Sequence, residues 1–239
     1  MDSQILVDDN YTCVSALIDT SGSMINLDTN ELSQGLTKMV RDQCLEGKTV
    51  KFYGAKFSDG FGIFADGIDA STVKITQADI EPDGMTCLVP AFARMIRYTS
   101  RKIREMKDRR PGKVIFILLS DGDQTINHLT GSDETDLPYE GPNGHVQLKK
   151  LVEKYRTDFN WTFMFLGTNF DVVSKGKQLG LDRASCVNYG YSRMGSQNVI
   201  QVCSKAMKRV QQDNFKGFTQ EDRLRSNDNS QIHADSDGE

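Results

Sequence analysis

The sequence predicts an α/β protein: a doubly wound, mostly parallel central sheet with helices on both faces and one short antiparallel edge strand. Three observations indicate this fold. Apolar runs at 11–18 and 113–120 contain no glycine or proline and have the composition of strands buried inside a parallel sheet. Amphipathic helical patterns alternate with such runs along the chain. Two further strand-like segments flank the turn Ser58-Asp59-Gly60, the pattern of a β-hairpin.

The first half of the chain alternates strand and helix signals. The first helical pattern has apolar residues at three- and four-residue spacings and ends before Gly47, a typical C-terminal stop. Residues 65–80 mix β-prone pieces with Asp and Gly and give no assignment. The expected elements are a strand at 11–18, a helix at 30–46, strands at 49–57 and 61–64, and a helix at 89–107.

The second half continues the alternation and then loses its apolar residues. The expected elements are a strand at 113–120, a helix at 145–158, a strand at 161–166, a helix at 170–180, a weak edge strand at 185–189 and a helix at 195–212. We therefore expect a lead-in at 1–10, one domain at 11–212 and a polar tail at 213–239. The tail has almost no large apolar residues, and disorder is predicted after about Asp222.

Composition excludes several classes of protein. The 239-residue chain is 38% hydrophobic with a formal net charge of −4, which argues against commitment of the whole chain to nucleic acid. No apolar run reaches the roughly eighteen residues of a membrane helix, and the N-terminus lacks the pattern of a signal peptide. The five cysteines are widely spaced and odd in number, which favours reduced thiols. We expect a cytoplasmic protein that does not engage a membrane.

A polar turn follows the first strand abruptly, in the stretch Asp19-Thr20-Ser21-Gly22-Ser23. One carboxylate and two hydroxyls alternate there, and Gly22 lets the backbone curl so that the three oxygens converge. Hard oxygen ligands suit a six-coordinate cation such as Mg²⁺ better than zinc or copper. The alternative is a turn that only caps the next helix.

One later position joins this candidate site. Asp121 follows the strand at 113–120. The carboxyl ends of parallel strands share one edge of a sheet, and ligands of open α/β sheets bind at that edge. An ordinary Asp-Gly turn is the alternative for Asp121. Thr86, just before the next predicted helix, is by itself typical of a helix N-cap.

These motifs resemble those of the von Willebrand factor type A family. The stretch 19–23 is similar to its D-x-S-x-S motif, which forms a metal-ion-dependent adhesion site. The family pattern Gly-Gly-Thr-x-Leu is matched imperfectly, because Met85 stands where the second Gly is usual, and Asp121-Gly122 is similar to the family's Asp-Gly pair. The hairpin turn at 58–60 also resembles the family. The segment 165–181 resembles the corresponding strand and helix in its phage and bacterial members.

The resemblance implies a function as well as a fold. It implies one Mg²⁺, for which Mn²⁺ would substitute, held directly or through water by Asp19, Ser21, Ser23, Thr86 and Asp121. One position of the metal would stay open for a Glu or Asp carboxylate of a partner. The expected function is therefore a non-enzymatic protein–protein interaction module.

A long polar stretch at 125–144 leaves the same predicted edge of the sheet. Loops of this length in a compact domain are usually functional or disordered, so it forms either the rim that a partner touches or a mobile loop without a role. The candidate partner-binding residues are Asp123, Thr125, His128, Asp133 and Asp136.

A basic helix face supplies an alternative function. Residues 94–113 contain nine Lys or Arg residues against two acidic ones. In this alternative the face binds nucleic acid or an acidic protein, and the metal site is only structural. The simpler interpretation is a charged helix face that is only solvated. Its candidate residues are Arg94, Arg97, Arg101 and Arg104.

An enzymatic function is not expected. None of the three histidines has a sequence context that marks it as a base, and no phosphate-binding G-x-x-x-x-G-K-[ST] loop is present. Aspartyl-phosphate enzymes require a second Asp near position 21, where this chain has Ser. Cys87 is interpreted as a half-buried thiol rather than a nucleophile. A metal-dependent phosphohydrolase is the second alternative, and a small-molecule substrate is not expected.

Overall fold

The structure, a computed structural model, describes residues 6–120, 124–168, 171–190 and 192–227. Strands and helices alternate along most of the chain, as the hydrophobic pattern predicts. The strands are β1 (Leu6–Asp19), β2 (Thr49–Phe57), β3 (Phe61–Asp69), β4 (Arg109–Ser120), β5 (Thr162–Thr168) and β6 (Cys186–Tyr189). The helices are α1 (Thr29–Arg41), α2 (Leu88–Glu105), α3 (Gly144–Thr157), α4 (Val172–Gln178), α5 (Arg193–Gln211) and α6 (Gln220–Ser226).

The strands form one six-stranded sheet with the order β3-β2-β1-β4-β5-β6. Every neighbouring pair is parallel except β2 and β3, which form the predicted hairpin. The antiparallel edge strand is longer than the predicted 61–64, because pairing with β2 continues to Asp69 opposite Lys51. The predicted fold class is confirmed.

Helices cover both faces of the sheet, and the alternation of side chains along each strand explains why. In β1, Val14 and Ile18 face a core shared with α1 and α5, whereas Cys13 and Leu17 face a core shared with α2, α3 and α4. Successive residues of a strand point to opposite faces, so a strand covered on both sides is apolar throughout. This is the physical origin of the unbroken apolar runs in the sequence.

Both ends of the domain extend beyond the predicted limits. Strand β1 begins at Leu6, within the predicted lead-in, because residues 6–8 pair with the start of β4. At the other end, α6 lies within the predicted tail and Phe218 is buried before it. The prediction of disorder from about Asp222 does not hold for residues 222–226, which belong to α6. Residues 228–239 lie outside the described residues. Phe170, the first residue of the predicted helix at 170–180, also lies outside them.

Helix α6 is held against the rest of the domain by polar contacts that no pattern in its sequence predicts. Thr219 and Asp222 form a capping box, and the Asp222 carboxylate also accepts a hydrogen bond from Arg209 of α5 at 2.5 Å. The Arg223 guanidinium donates to the carbonyls of Cys186 and Arg183, both at 2.6 Å. Charged side chains thus replace the apolar stripe that normally signals a packed helix.

All five cysteines are free thiols, with Cys44 exposed and the others buried. Among the described residues, none of the helices has both the length and the hydropathy to cross a membrane.

Candidate metal site at the carboxyl edge of the sheet

Asp19 is the last residue of β1 and is held in place through both of its carboxylate oxygens. It is 1% exposed. Its Oδ1 accepts a hydrogen bond from the Ser21 backbone amide at 2.9 Å, and its Oδ2 accepts one from the Ser120 hydroxyl at 2.6 Å. Ser120 ends the neighbouring parallel strand β4. The carboxylate therefore lies at the strand edge where a ligand is expected to bind.

Ser21 and Ser23 bring two hydroxyl oxygens together just beyond Asp19. Their Oγ atoms are 3.2 Å apart, with Ser21 buried and Ser23 exposed. Ser21 precedes a short 3-10 helix at Gly22–Asn26 and makes no side-chain capping bond to it, and Ser23 lies within this helix. The next α-helix, α1, is capped by Asp28 instead. Capping therefore does not account for this cluster.

The loop before α2 is joined to the serine turn by two backbone hydrogen bonds. The Gly22 amide donates to the Gly84 carbonyl at 3.0 Å, and the Asp83 amide donates to the Thr20 carbonyl at 2.7 Å. Gly84 has a φ of 72°, in the left-handed region that favours glycine. Thr86, two residues further along, is buried at this edge.

A third loop, after β4, is joined to the second through Thr86. The Thr86 amide donates to the Thr125 hydroxyl at 2.9 Å, and the Thr86 carbonyl accepts from the Thr125 amide at 2.9 Å. Thr86 does not cap α2, whose N-cap is Cys87. The predicted ligand Asp121 and the predicted partner residue Asp123 lie outside the described residues.

The donor set fits a hard cation. In an octahedral Mg²⁺ site with bonds of about 2.1 Å, adjacent ligand oxygens lie about 3.0 Å apart, close to the 3.2 Å between the Ser21 and Ser23 hydroxyls. In the part of the chain that the structure describes, no group of three or more His, Cys, Asp or Glu residues is arranged for a metal. The candidate set instead depends on hydroxyl oxygens, with Asp19 as its described carboxylate.

Cys87 lies next to Thr86 and is fully buried. Burial, with the Glu140 and Asp59 carboxylates adding to it, raises the pKa of its thiol to about 12. Cys87 is therefore protonated at neutral pH, whereas the thiolate is the nucleophilic form of cysteine. This environment matches the interpretation of Cys87 as a structural thiol.

The candidate partner-binding residues of the loop at 125–144 occupy different environments. His128 and Asp133 are exposed, and the His128 Nδ1 lies 2.6 Å from a Glu140 carboxylate oxygen. Thr125 is exposed and also links the second and third loops. Asp136 is fully buried and pairs with two arginines. Asp136 is therefore not exposed for the predicted direct contact with a partner, because its carboxylate pairs with Arg94 and Arg97 inside the fold.

The candidate basic face divides into two parts. Arg94 and Arg97 both pair with Asp136 and are about one-fifth exposed. Arg101 and Arg104 remain on the surface, with Arg101 3.9 Å from Glu105 one helical turn away. The four side chains nevertheless line one shared cavity on the outer side of α2.

Two contributors to the site were not identified from the sequence. Ser120 anchors Asp19, and the Gln124 side-chain oxygen accepts a hydrogen bond from the Val89 amide in the first turn of α2 at 2.7 Å. The signal for Ser120 was its place as the single polar residue at the end of an apolar run. No sequence pattern indicates the role of Gln124, because its partner is a backbone group 35 residues away.

Comparison with models of protein families and with curated proteins gives no match. Solved structures do match. The von Willebrand factor domain of the type V pilus tip protein Mfa5 from Porphyromonas gingivalis has a TM-score of 0.54 at 11% identity, covering 86% of this chain and 96% of that one. The PilB minor pilin from Streptococcus sanguinis has a TM-score of 0.53 at 14% identity, covering 89% and 63%.

A third similar structure, proximal thread matrix protein 1 from the mussel byssus, has a TM-score of 0.51 at 15% identity and covers 89% of this chain. This chain spans 49% of the mussel protein and 63% of the pilin. At such identities the similarity concerns the fold. The strand order, the single antiparallel edge strand and these matches agree, and together they show that the chain has the fold of a von Willebrand factor type A domain.

Proposed function

We propose that the chain is a non-enzymatic protein-interaction module that binds one Mg²⁺, or Mn²⁺ in its place, at the carboxyl edge of its sheet. Asp19, Ser21, Ser23 and Thr86 would hold the metal, together with Asp121. The observation that carries this proposal is the linkage of the loops at 19–23, 83–87 and 124–126 by backbone hydrogen bonds, with two serine hydroxyls at the spacing of adjacent ligands.

The protein's own residues have three tasks in this proposal. Asp19 contributes negative charge and is oriented by Ser120, so it does not have to be ordered when the metal binds. The two serines and Thr86 contribute neutral oxygens, so the negative charge of the ligand set comes from Asp19 and Asp121 alone. The bound metal would supply positive charge and a coordination position for a carboxylate of the partner, Glu or Asp.

Two exposed apolar side chains support a protein as the partner. Ile25, in the short helix that contains Ser23, is 74% exposed, and Met85, beside Thr86, is 53% exposed. The loops that carry them are joined by the bond between Gly22 and Gly84. Protein interfaces are enriched in methionine, and their buried cores are more apolar than the rest of the surface. A small hydrophilic anion would leave both side chains in water.

Calorimetric titration of the purified chain with MgCl₂ and MnCl₂ tests the metal site. We expect one saturable site, and we expect Asp19→Asn to weaken it at least about tenfold, since even residues outside the coordination shell change metal affinity by about 10–100-fold. Ser23→Ala, at an exposed position, gives the same test where Asp19→Asn perturbs folding. Asp9→Asn is the matched control, because Asp9 lies on β1 at the opposite edge of the sheet. Equal affinity in wild type and both site variants would refute the metal site.

Capture of partners from a lysate of the source cell tests the bridging role separately. We expect a protein retained by wild type in Mg²⁺, released by chelator, not retained by Asp19→Asn, and bound more weakly by Thr86→Ala. Retention in chelator and by the Asp19 variant would contradict the bridge. It would assign partner binding to the loop at 125–144 or to α2, and binding through the basic side chains of α2 would also decrease steeply with salt.

A further inference from the structure

A cavity of about 400 Å³ lies on the outer side of α2, away from the candidate metal site. Arg94, Arg97, Arg101 and Arg104 line it together with aromatic side chains and Asp133. At 1.5 Å per helical residue, these arginines lie about 9–24 Å along α2 from its start at the metal edge. A ligand in this cavity therefore need not contact the metal.

The inner part of the cavity is held rigid by one buried carboxylate. Asp136 is fully buried, and it accepts hydrogen bonds from the Arg94 Nε at 3.1 Å, from a terminal nitrogen of each of Arg94 and Arg97, and from the Asp133 amide at 3.0 Å. Arg94 also donates to the Gly131 carbonyl at 3.1 Å. These bonds fix the two guanidinium groups before any ligand arrives, which reduces the entropy cost of binding.

The outer part of the cavity carries positive charge that is not neutralised. Four guanidinium groups stand against three carboxylates, those of Asp133, Asp136 and Glu105, which leaves an excess of one positive charge. Within the described residues, the ion pair of Arg101 is the loose surface pair with Glu105 at 3.9 Å, and Arg104 has none. Both arginines are exposed. The cavity therefore has a net positive charge and exposed donors for an anion.

The aromatic side chains around the cavity are already in contact with cations or with another ring. Arg94 lies over the Phe61 ring at 5.5 Å and Arg101 over the Tyr98 ring at 5.5 Å. Tyr155, also in the lining, stacks with Phe159 at 5.1 Å between ring centroids. A nucleobase would have to displace these contacts in order to stack. The arrangement favours a compact anion over a nucleotide or a nucleic acid strand.

We infer that this cavity binds a phosphate monoester carried by a phosphorylated side chain of a protein. Such a group has a charge of about −1.5 to −2 at neutral pH and three acceptor oxygens, which suit the positive charge of the cavity and the exposed donors of Arg101 and Arg104. Arginine clusters of this kind recognise phosphorylated motifs through bidentate, charge-assisted hydrogen bonds. The open outer side leaves room for the peptide on which the phosphate is carried. This inference is independent of the metal site.

The test uses a short glycine and alanine peptide with one central phosphoserine, titrated into the whole chain by calorimetry at low salt in the presence of chelator. Parallel titrations use the same peptide with Ser or Glu at the centre, AMP and inorganic phosphate. The variant is Arg101→Gln/Arg104→Gln, which removes two exposed guanidinium groups and leaves the contacts of Asp136 in place. The matched control is Arg225→Gln, since Arg225 is exposed and pairs with Glu221 one turn away on α6, as Arg101 does with Glu105.

We expect the phosphoserine peptide to bind more tightly than the Ser and Glu peptides, AMP and inorganic phosphate. The double variant should bind it at least about tenfold more weakly, because a hydrogen bond to a charged group contributes about a factor of ten or more. Arg225→Gln should leave the affinity unchanged. Equal binding by the double variant, or equal binding of the Glu peptide, would overturn the inference. Tighter binding of AMP would assign the cavity to nucleotides and would overturn it as well.

Discussion

Replacing Asp136 with Asn removes the charge that holds the loop at 125–144 against α2. The carboxylate is fully buried and accepts hydrogen bonds from Arg94, Arg97 and the Asp133 amide. Asparagine has nearly the same shape, but it has one acceptor oxygen and presents an NH₂ group to a guanidinium. The variant therefore leaves two positive charges facing each other without a counter-ion.

The size of the effect follows from the burial of the three groups. Removing one partner of a buried ion pair costs about 3–5 kcal/mol. Arg94 and Arg97 keep 19% and 23% of their side chains exposed, so water compensates them in part and the lower end applies. We expect a loss of about 3 kcal/mol in the free energy of unfolding. For a chain of this length the melting temperature would then decrease by about 6–12 °C.

Urea denaturation at neutral pH measures this loss, with Glu105→Gln as the control. Glu105 lies on the same helix and also pairs with an arginine, but its side chain is 61% exposed, so its removal should cost less than about 1 kcal/mol. An Asp136→Asn variant no less stable than the Glu105→Gln control would refute the reasoning. It would mean that the loop is not fastened by this carboxylate.

The same variant predicts a pH dependence. Burial alone raises the pKa of Asp136, but hydrogen bonds and the charges of Arg94 and Arg97 outweigh it and hold the pKa below the ordinary value of 3.8. A lowered carboxyl pKa stabilises the fold fully above the ordinary value, and this stabilisation is lost as the pH falls through the lowered pKa. The stability difference between wild type and Asp136→Asn should therefore be constant at neutral pH and shrink below about pH 3.8. A difference that persists unchanged in acid would contradict this assignment.

Two further predictions concern the core. A Cβ at Gly176 of α4 would lie 2.3 Å from the Cys186 sulfur, so Gly176→Ala should destabilise the fold by about 1–3 kcal/mol and Cys186→Ala should restore part of this loss. A double-mutant cycle in urea measures the coupling, and purely additive effects would exclude the clash. Cys44 is the exposed cysteine, whereas burial raises the pKa of Cys186 and Cys203 to about 12. One thiol should therefore react with a thiol reagent in the native state and five in denaturant, and a second fast native thiol would indicate local opening.

The elements near the centre of the sheet were the most predictable. Strands at 11–18 and 113–120 are buried on both faces, so their composition carries the signal without any partner. The ends of the domain were less predictable. Residues 6–8 are exposed or partly exposed and become part of β1 through pairing with β4, and α6 is held by Arg209 and Arg223. Edge pairing and ion pairs between distant residues leave no periodic pattern in the sequence.

The environments of the acidic residues in the loop at 125–144 were also not predictable from the sequence. Its acidic residues are alike in the sequence, yet Asp133 is exposed while Asp136 is buried against α2. The division follows from the position of Arg94 and Arg97, which lie about 40 residues earlier. The sequence therefore predicted a basic helix face and a polar loop with candidate partner-binding residues separately, and the structure brings Asp133 of the loop and the arginines of α2 to one cavity.

By itself the sequence determined the layered α/β architecture and the candidate ligands Asp19, Ser21 and Ser23, because burial and ligand chemistry depend on residue type and local spacing. Thr86 was added through the resemblance to a known family. Only the tertiary structure decided that three loops join at one edge, that Ser120 orients Asp19 and that Asp136 forms ion pairs with two arginines. Those contacts join residues 39 to 101 positions apart. Which residues meet in these contacts depends on the order of the strands in the sheet, and local sequence does not encode that order.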